Sequence, residues 1–119
     1  MTTRRMKTYT AQSGYVYQYY FVGKREALAG EPEGPAAEYV FDVTPDRKTM
    51  YAVSIFVKPE ALSAWAGAHQ RPLSESEQYA AAKMRLLQGF DEIGKVSDHV
   101  RLRVDAGDIE GLLRGIGVE

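Results

Sequence analysis

The chain contains no cysteine and no asparagine. Without cysteine there is no disulfide framework, no thiolate nucleophile, no iron–sulfur cluster and no cysteine-based zinc site. Without asparagine there is no N-glycosylation acceptor. Both absences favour a reducing compartment, so we expect a cytoplasmic protein. The sequence also lacks an apolar run of the ~18 residues that cross a bilayer, and no apolar stretch follows the basic N-terminus. We therefore expect neither a membrane segment nor a signal peptide.

A strong charge of one sign is missing as well. The 119 residues carry a net charge of −1, which does not favour nucleic-acid binding. This length predicts a single domain, residues 1–119, because domains run to roughly 100–200 residues. The charge is uneven: residues 1–7 form a basic arm that we expect to be disordered, and residues 23–37 form a long acidic loop rich in glycine and proline. The loop is either a solvated segment, the contact of another copy's arm, or the recruiter of a basic partner on which it folds.

The middle of the chain predicts a β-hairpin. Tyr39, Phe41 and Val43 occupy every second position of one segment, and Tyr51, Val53 and Ile55 do so in the next. This period of two is typical of β-strands. Because side chains alternate between the two faces of a sheet, a turn of odd length places these two sets on one face. An even length separates them, so burial of one face favours the odd turn.

Helices and one more strand complete the pattern. Pro59 suits the first turn of a helix, and Ser74 with Glu77 forms a capping box before a second, longer helix. A strand over 99–104 and a short C-terminal helix follow. An early strand region from Lys7 to Val22 is interrupted at Ser13-Gly14 by either a bulge or a turn. The order β(β)-ββ-α-α-β-α predicts an α+β fold, a mostly antiparallel sheet with helices packed on one face.

The strongest compositional feature is the eight tyrosines. Tyr15, Tyr17 and Tyr19 share one face of the first strand region by their period of two. One interpretation is sheet core with cross-strand aromatic pairs. The other is a recognition surface, since tyrosine is enriched where partners bind. We place the candidate partner-binding site here and predict a homodimer.

Candidate catalytic residues are few, because the sequence has no phosphate-binding loop, no metalloprotease motif and no nucleophile elbow. The weak candidates are His69 and His99 as acid–base groups and Arg71 as an anion holder. Arg101 and Arg103 share a strand face; they are either the solvent side of an edge strand or a grip for an anion. We predict no metal site and no cofactor.

These observations favour two functions. The first is a small non-enzymatic binding module that self-associates through an aromatic sheet face. The alternative is a small enzyme or small-molecule-binding domain with a pocket between sheet and helices, in which His69 and Arg101 with Arg103 act together. A small molecule or a protein is the expected partner.

Overall fold

The computed structural model describes residues 6–93 and 100–119 of the chain. His99 and the first five residues, including most of the predicted basic arm, lie outside the described residues. The elements are β1 (Lys7–Thr10), β2 (Val16–Ala27), β3 (Ala36–Thr44), β4 (Tyr51–Val57), α1 (Pro59–His69), α2 (Glu75–Ile93), β5 (Val100–Val104) and α3 (Ile109–Arg114). The predicted α+β class and the element order are confirmed.

The five strands form one sheet in the order β1-β2-β3-β4-β5. The first four are antiparallel neighbours, while β5 runs parallel to β4 because α1 and α2 carry the chain across between them. The hairpin register is confirmed, since Tyr39 faces Ile55, Phe41 faces Val53 and Val43 faces Tyr51. β5 is an edge strand, which agrees with the first of the two interpretations of Arg101 and Arg103 and leaves the second open.

The interruption at Ser13-Gly14 is a turn between β1 and β2, with Gly14 at a φ of 91°. A bulge does exist, but at Val22, where the β2–β3 register shifts between Phe21 and Gly23. An extra residue turns every later side chain of the strand to the opposite face. Arg25, which opposes Glu38, therefore lies on the other face from Tyr17 and Phe21.

The predicted loop over 23–37 needs correction. β2 continues to Ala27 and β3 begins at Ala36, so the connection is only residues 28–35. Its backbone is folded on itself: the amide of Glu31 donates to the Leu28 carbonyl, and that of Gly34 donates to the Glu31 carbonyl. We call residues 28–35 the ledge, because they pack against one face of the sheet.

The helices cover one face, which we call the inner face. Its strand side chains form a single core with residues of all three helices, including Trp65, Leu86, Phe90 and Ile109. The capping box is confirmed, because the Glu77 amide donates to Ser74 Oγ and the Ser74 amide donates to Glu77 Oε1. The opposite, outer face carries no helix in the described part of the chain, and only the ledge packs on it.

Candidate binding site

The ledge rests on a small apolar cluster of the outer face. Phe56 of β4 is buried there beside Ala27 and Ala36, apart from the main core. Phe56 opposes Glu38 across the hairpin and Arg103 across the parallel pair. The cluster thus places an aromatic ring at the centre of a charged surface.

Glu33 fixes the ledge to the sheet. Its carboxylate accepts two hydrogen bonds from the Arg103 guanidinium, at 2.6 and 2.8 Å. Lys58 Nζ lies 3.4 Å from the same carboxylate and donates to the Glu33 carbonyl oxygen at 2.6 Å. The hydrogen bonds from Arg103, with Lys58 beside them, hold the pKa of the Glu33 carboxyl below its usual value. A bidentate guanidinium–carboxylate pair is directional, so it holds the ledge in one position.

A second group of ion pairs closes the other side. Arg25 donates to Glu31 of the ledge and, at 3.0 Å, to Glu38 of β3. Glu38 also accepts the Ser54 hydroxyl at 2.7 Å, and Glu31 accepts the Leu28 amide at 2.6 Å. The acidic residues Glu31, Glu33 and Glu38 are therefore neutralised within the fold. Because the ledge is folded and its acids are paired, the expectation that it folds on a basic partner is not supported, whereas recruitment of such a partner stays a prediction.

Between these groups lies a cleft of about 330 Å³, which we call the Arg101 cleft. Its walls are Arg25, Glu31, Glu33, Glu38 and Arg101, with Ala27, Pro32 and Phe56 as apolar lining. Arg101 also lines a neighbouring cleft of about 450 Å³, where Arg85, Arg103 and Asp105 lie. In the part of the chain that the structure describes, the Arg101 guanidinium forms no hydrogen bond or ion pair.

The structure places His69 and Arg71 elsewhere. The His69 ring stacks on Trp65, with 4.0 Å between the ring centroids, and its Nε2 pairs with Glu110. The Arg71 guanidinium lies over the Trp65 ring, 4.7 Å from the ring centroid, and forms a bidentate pair with the Glu77 carboxylate. His69 lines none of the clefts described here, so the geometry does not bring it together with Arg101 and Arg103.

The tyrosine face of β2 is the inner face. Tyr17 is fully buried and stacks on Phe90 of α2, with ring centroids 4.4 Å apart, and Tyr19 is 4 % exposed. Burial raises the pKa of both hydroxyls. Tyr15 is 47 % exposed at the end of this row. Tyr17 and Tyr19 therefore contribute to the core, and Tyr15 is the exposed member of the three.

A third cleft, of about 540 Å³, lies between α2 and α3. Met84, Leu87 and Leu112 line it, and Asp91 stands at its rim. The Asp91 carboxylate is already satisfied by the Tyr9 hydroxyl, at 2.8 Å, and by the Gln12 amide, at 2.9 Å. Gln88 and Asp108 also line this groove, where their side chains accept hydrogen bonds from Arg85 and from the Asp105 backbone amide.

Sequence reasoning missed Arg25, Glu33 and Phe56 as site residues. Gly23 inside a strand pattern was the one available signal, because an isolated glycine in a strand suggests a bulge.

No group of histidine, cysteine or carboxylate side chains that could hold a metal occurs among residues 6–93 and 100–119. Within the same residues, no helix is long and apolar enough to cross a membrane. No protein-family model matches the chain, and neither curated proteins nor solved structures show significant similarity to it.

Proposed function

We propose that this protein is a binding domain that self-associates through the uncovered part of its outer sheet face. We call this part the open face; it consists of Val16, Gln18, Tyr20, Val40, Asp42, Ala52 and Ser54. The observation that carries the proposal is its composition. The solvent-facing side of an antiparallel sheet normally carries polar residues. The open face instead includes Val16, which is 45 % exposed, Val40 and Ala52.

The polar groups of the open face support docking rather than solvation. The Tyr20 hydroxyl donates to Asp42 at 2.8 Å, and the Ser54 hydroxyl donates to Glu38 at 2.7 Å. Polar groups that are already hydrogen-bonded can be covered at a lower cost than free ones. The partner must therefore offer a nearly neutral, half-apolar surface with few free polar groups. The open face itself meets this description, and we take the occupant to be a second copy of the chain.

The size of the open face sets the strength of the dimer. Three strands spaced ~4.8 Å apart and about five residues long, at ~3.3 Å per residue, give a projected area of about 240 Å². A standard interface buries about 800 Å² per partner. Side-chain relief adds to the projected area, but the sum stays below that of a standard interface. We expect a weak dimer that forms at high protein concentration.

Charge on the open face gives the test a direction. Asp42 is its one charged residue, so a two-fold arrangement brings like charges towards each other. Asp42→Asn removes this repulsion and should strengthen the dimer. Ala52→Glu adds a second negative charge to an exposed position and should abolish it. Ala106→Glu, at another exposed alanine in the loop before α3, is the matched control.

The experiment is sedimentation velocity on the full chain from about 10 µM to 1 mM, with circular dichroism to confirm that each variant folds. We expect a concentration-dependent dimer in the wild type and in Ala106→Glu, more dimer in Asp42→Asn, and monomer in Ala52→Glu. A monomeric wild type at every concentration overturns the proposal. So does an Ala52→Glu variant that dimerises like the wild type, or a dimer that Ala106→Glu disrupts.

A further inference from the structure

The charges around the ledge do not balance. Four cations, Arg25, Lys58, Arg101 and Arg103, meet three carboxylates, those of Glu31, Glu33 and Glu38. The carboxylates bind Arg25, Lys58 and Arg103 through the contacts described above. Among these four cations, Arg101 is the one that forms no ion pair within the described part of the chain.

From this geometry we propose that the Arg101 cleft binds a small organic monocarboxylate. The carboxylate forms a bidentate pair with the Arg101 guanidinium, and the apolar body of the ligand lies against Phe56 and Pro32. Guanidinium is suited to this task because its planar array of N–H donors matches the two oxygens of a carboxylate. This site lies at the ledge end of the outer face and adjoins the open face, because Ser54 pairs with Arg101 across β4 and β5.

The surrounding acids select the charge of the ligand. A dianion such as inorganic phosphate brings a second negative charge next to Glu31, Glu33 and Glu38, with no free cation to compensate it. A monoanion matches the single unpaired charge. A cation finds no free carboxylate, because each of the three already accepts hydrogen bonds from protein donors.

The volume and lining select the size and character of the ligand. The cleft holds about 330 Å³, which is at the lower end of the roughly 300–1,000 Å³ of ligand pockets. One wall is an aromatic ring and another is a proline. A planar or compact apolar body of few atoms suits this space, and benzoate is the simplest probe with both properties.

The position of each wall is fixed before any ligand arrives. Glu33 clamps the ledge through Arg103 and Lys58, and Arg25 ties Glu31 to Glu38 across the cleft. The bulge at Val22 directs Arg25 to this face. Preformed walls reduce the ordering cost of binding, so the free guanidinium is the main group that a ligand must order.

The test is titration of the full chain with benzoate, followed by NMR of arginine Nε–H and backbone amide signals. We expect saturable shifts at Arg101, Phe56 and Glu33, with a dissociation constant on the order of 1 mM. Arg101→Gln should weaken binding at least about tenfold, and Arg101→Lys should weaken it less. Arg114→Gln, an exposed arginine on α3 outside the cleft, is the matched control and should bind like the wild type.

Two further probes separate the contributions. Benzamide has the same ring without the charge and should give no saturable shifts; equal binding of benzamide overturns the role of Arg101. Inorganic phosphate should bind more weakly than benzoate, and equal binding overturns the monocarboxylate assignment. No shifts with benzoate up to about 20 mM, or unchanged affinity in Arg101→Gln, also refute the proposal. Because Ala52→Glu leaves the cleft walls intact, it should bind benzoate normally, which distinguishes failure of this site from failure of self-association.

Discussion

Phe90 offers the sharpest test of the assignment of the tyrosine face to the core. Its ring is 1 % exposed and stacks on Tyr17 at 4.4 Å with 8° between the planes, and Tyr9 and Tyr19 lie 5.8 and 6.0 Å away. Burying an aromatic side chain removes about 150–250 Å² from water, which at ~25 cal/mol/Å² is worth at most about 4–6 kcal/mol. Truncation of a core phenylalanine to alanine typically costs about 3–5 kcal/mol. We expect Phe90→Ala to lower the free energy of unfolding by an amount in this range.

Urea unfolding followed by far-UV circular dichroism measures this loss. With a denaturant slope of about 1.5–2 kcal/mol/M, the midpoint should fall by about 2–3 M. Phe21→Ala is the matched control, since Phe21 contacts the same sheet face but is 38 % exposed, and it should lose about half as much. A loss below about 1 kcal/mol for Phe90→Ala, or one no larger than that of Phe21→Ala, refutes the assignment.

Two further predictions concern the ledge and the capping box. A Cβ added at Gly34 would lie 1.6 Å from the Leu28 carbonyl oxygen, whereas one at Gly30 meets nothing within 4 Å. Thermal unfolding should show Gly34→Ala destabilised by about 1–3 kcal/mol and Gly30→Ala nearly unchanged; equal effects would contradict the close packing of the ledge. The Arg71 guanidinium and the Ser74 amide lower the pKa of Glu77 to about 2. Because this folded-state pKa lies below the unfolded value, the Glu77 contribution is complete above about pH 4.5 and is lost as the pH falls towards 2. Glu77→Gln should reduce the pH dependence of the melting temperature over this window, while Glu75→Gln should not. An equal reduction in both variants would show that this pH dependence does not come from Glu77.

The parts of the fold that follow from local patterns could be predicted from the sequence. Alternation and the parity of the turn gave the face shared by Tyr39 and Ile55, because a one-residue slip would expose the whole apolar set. The Ser74 capping box fixed the start of α2, because its two hydrogen bonds form within four residues. Both signals depend on residues that are close in sequence.

The face that the helices cover could not be predicted in the same way. The period of two groups Tyr17 with Tyr19, but it does not say whether α2 packs on them or on the other side. Phe90, the residue that decides this, lies more than seventy positions away along the chain. The sequence pattern of Tyr15, Tyr17 and Tyr19 is therefore compatible with a core position and with a recognition surface. The packing of α2 distinguishes the two interpretations.

The site depends on a further long-range effect, the redistribution of charge by folding. Residues 26–46 contain six acids and no base, so the sequence predicts a negative surface around the ledge. Folding brings Lys58 and Arg103 to Glu33, and the bulge at Val22 turns Arg25 towards the acids of the ledge and of β3. The surface thus changes from acidic to one with an unpaired cation. If the bulge were absent, Arg25 would face the core side, and Glu31 and Glu38 would lose the guanidinium that pairs with both of them. One extra residue in β2 therefore supplies the cation that neutralises the acids lining the cleft beside Arg101.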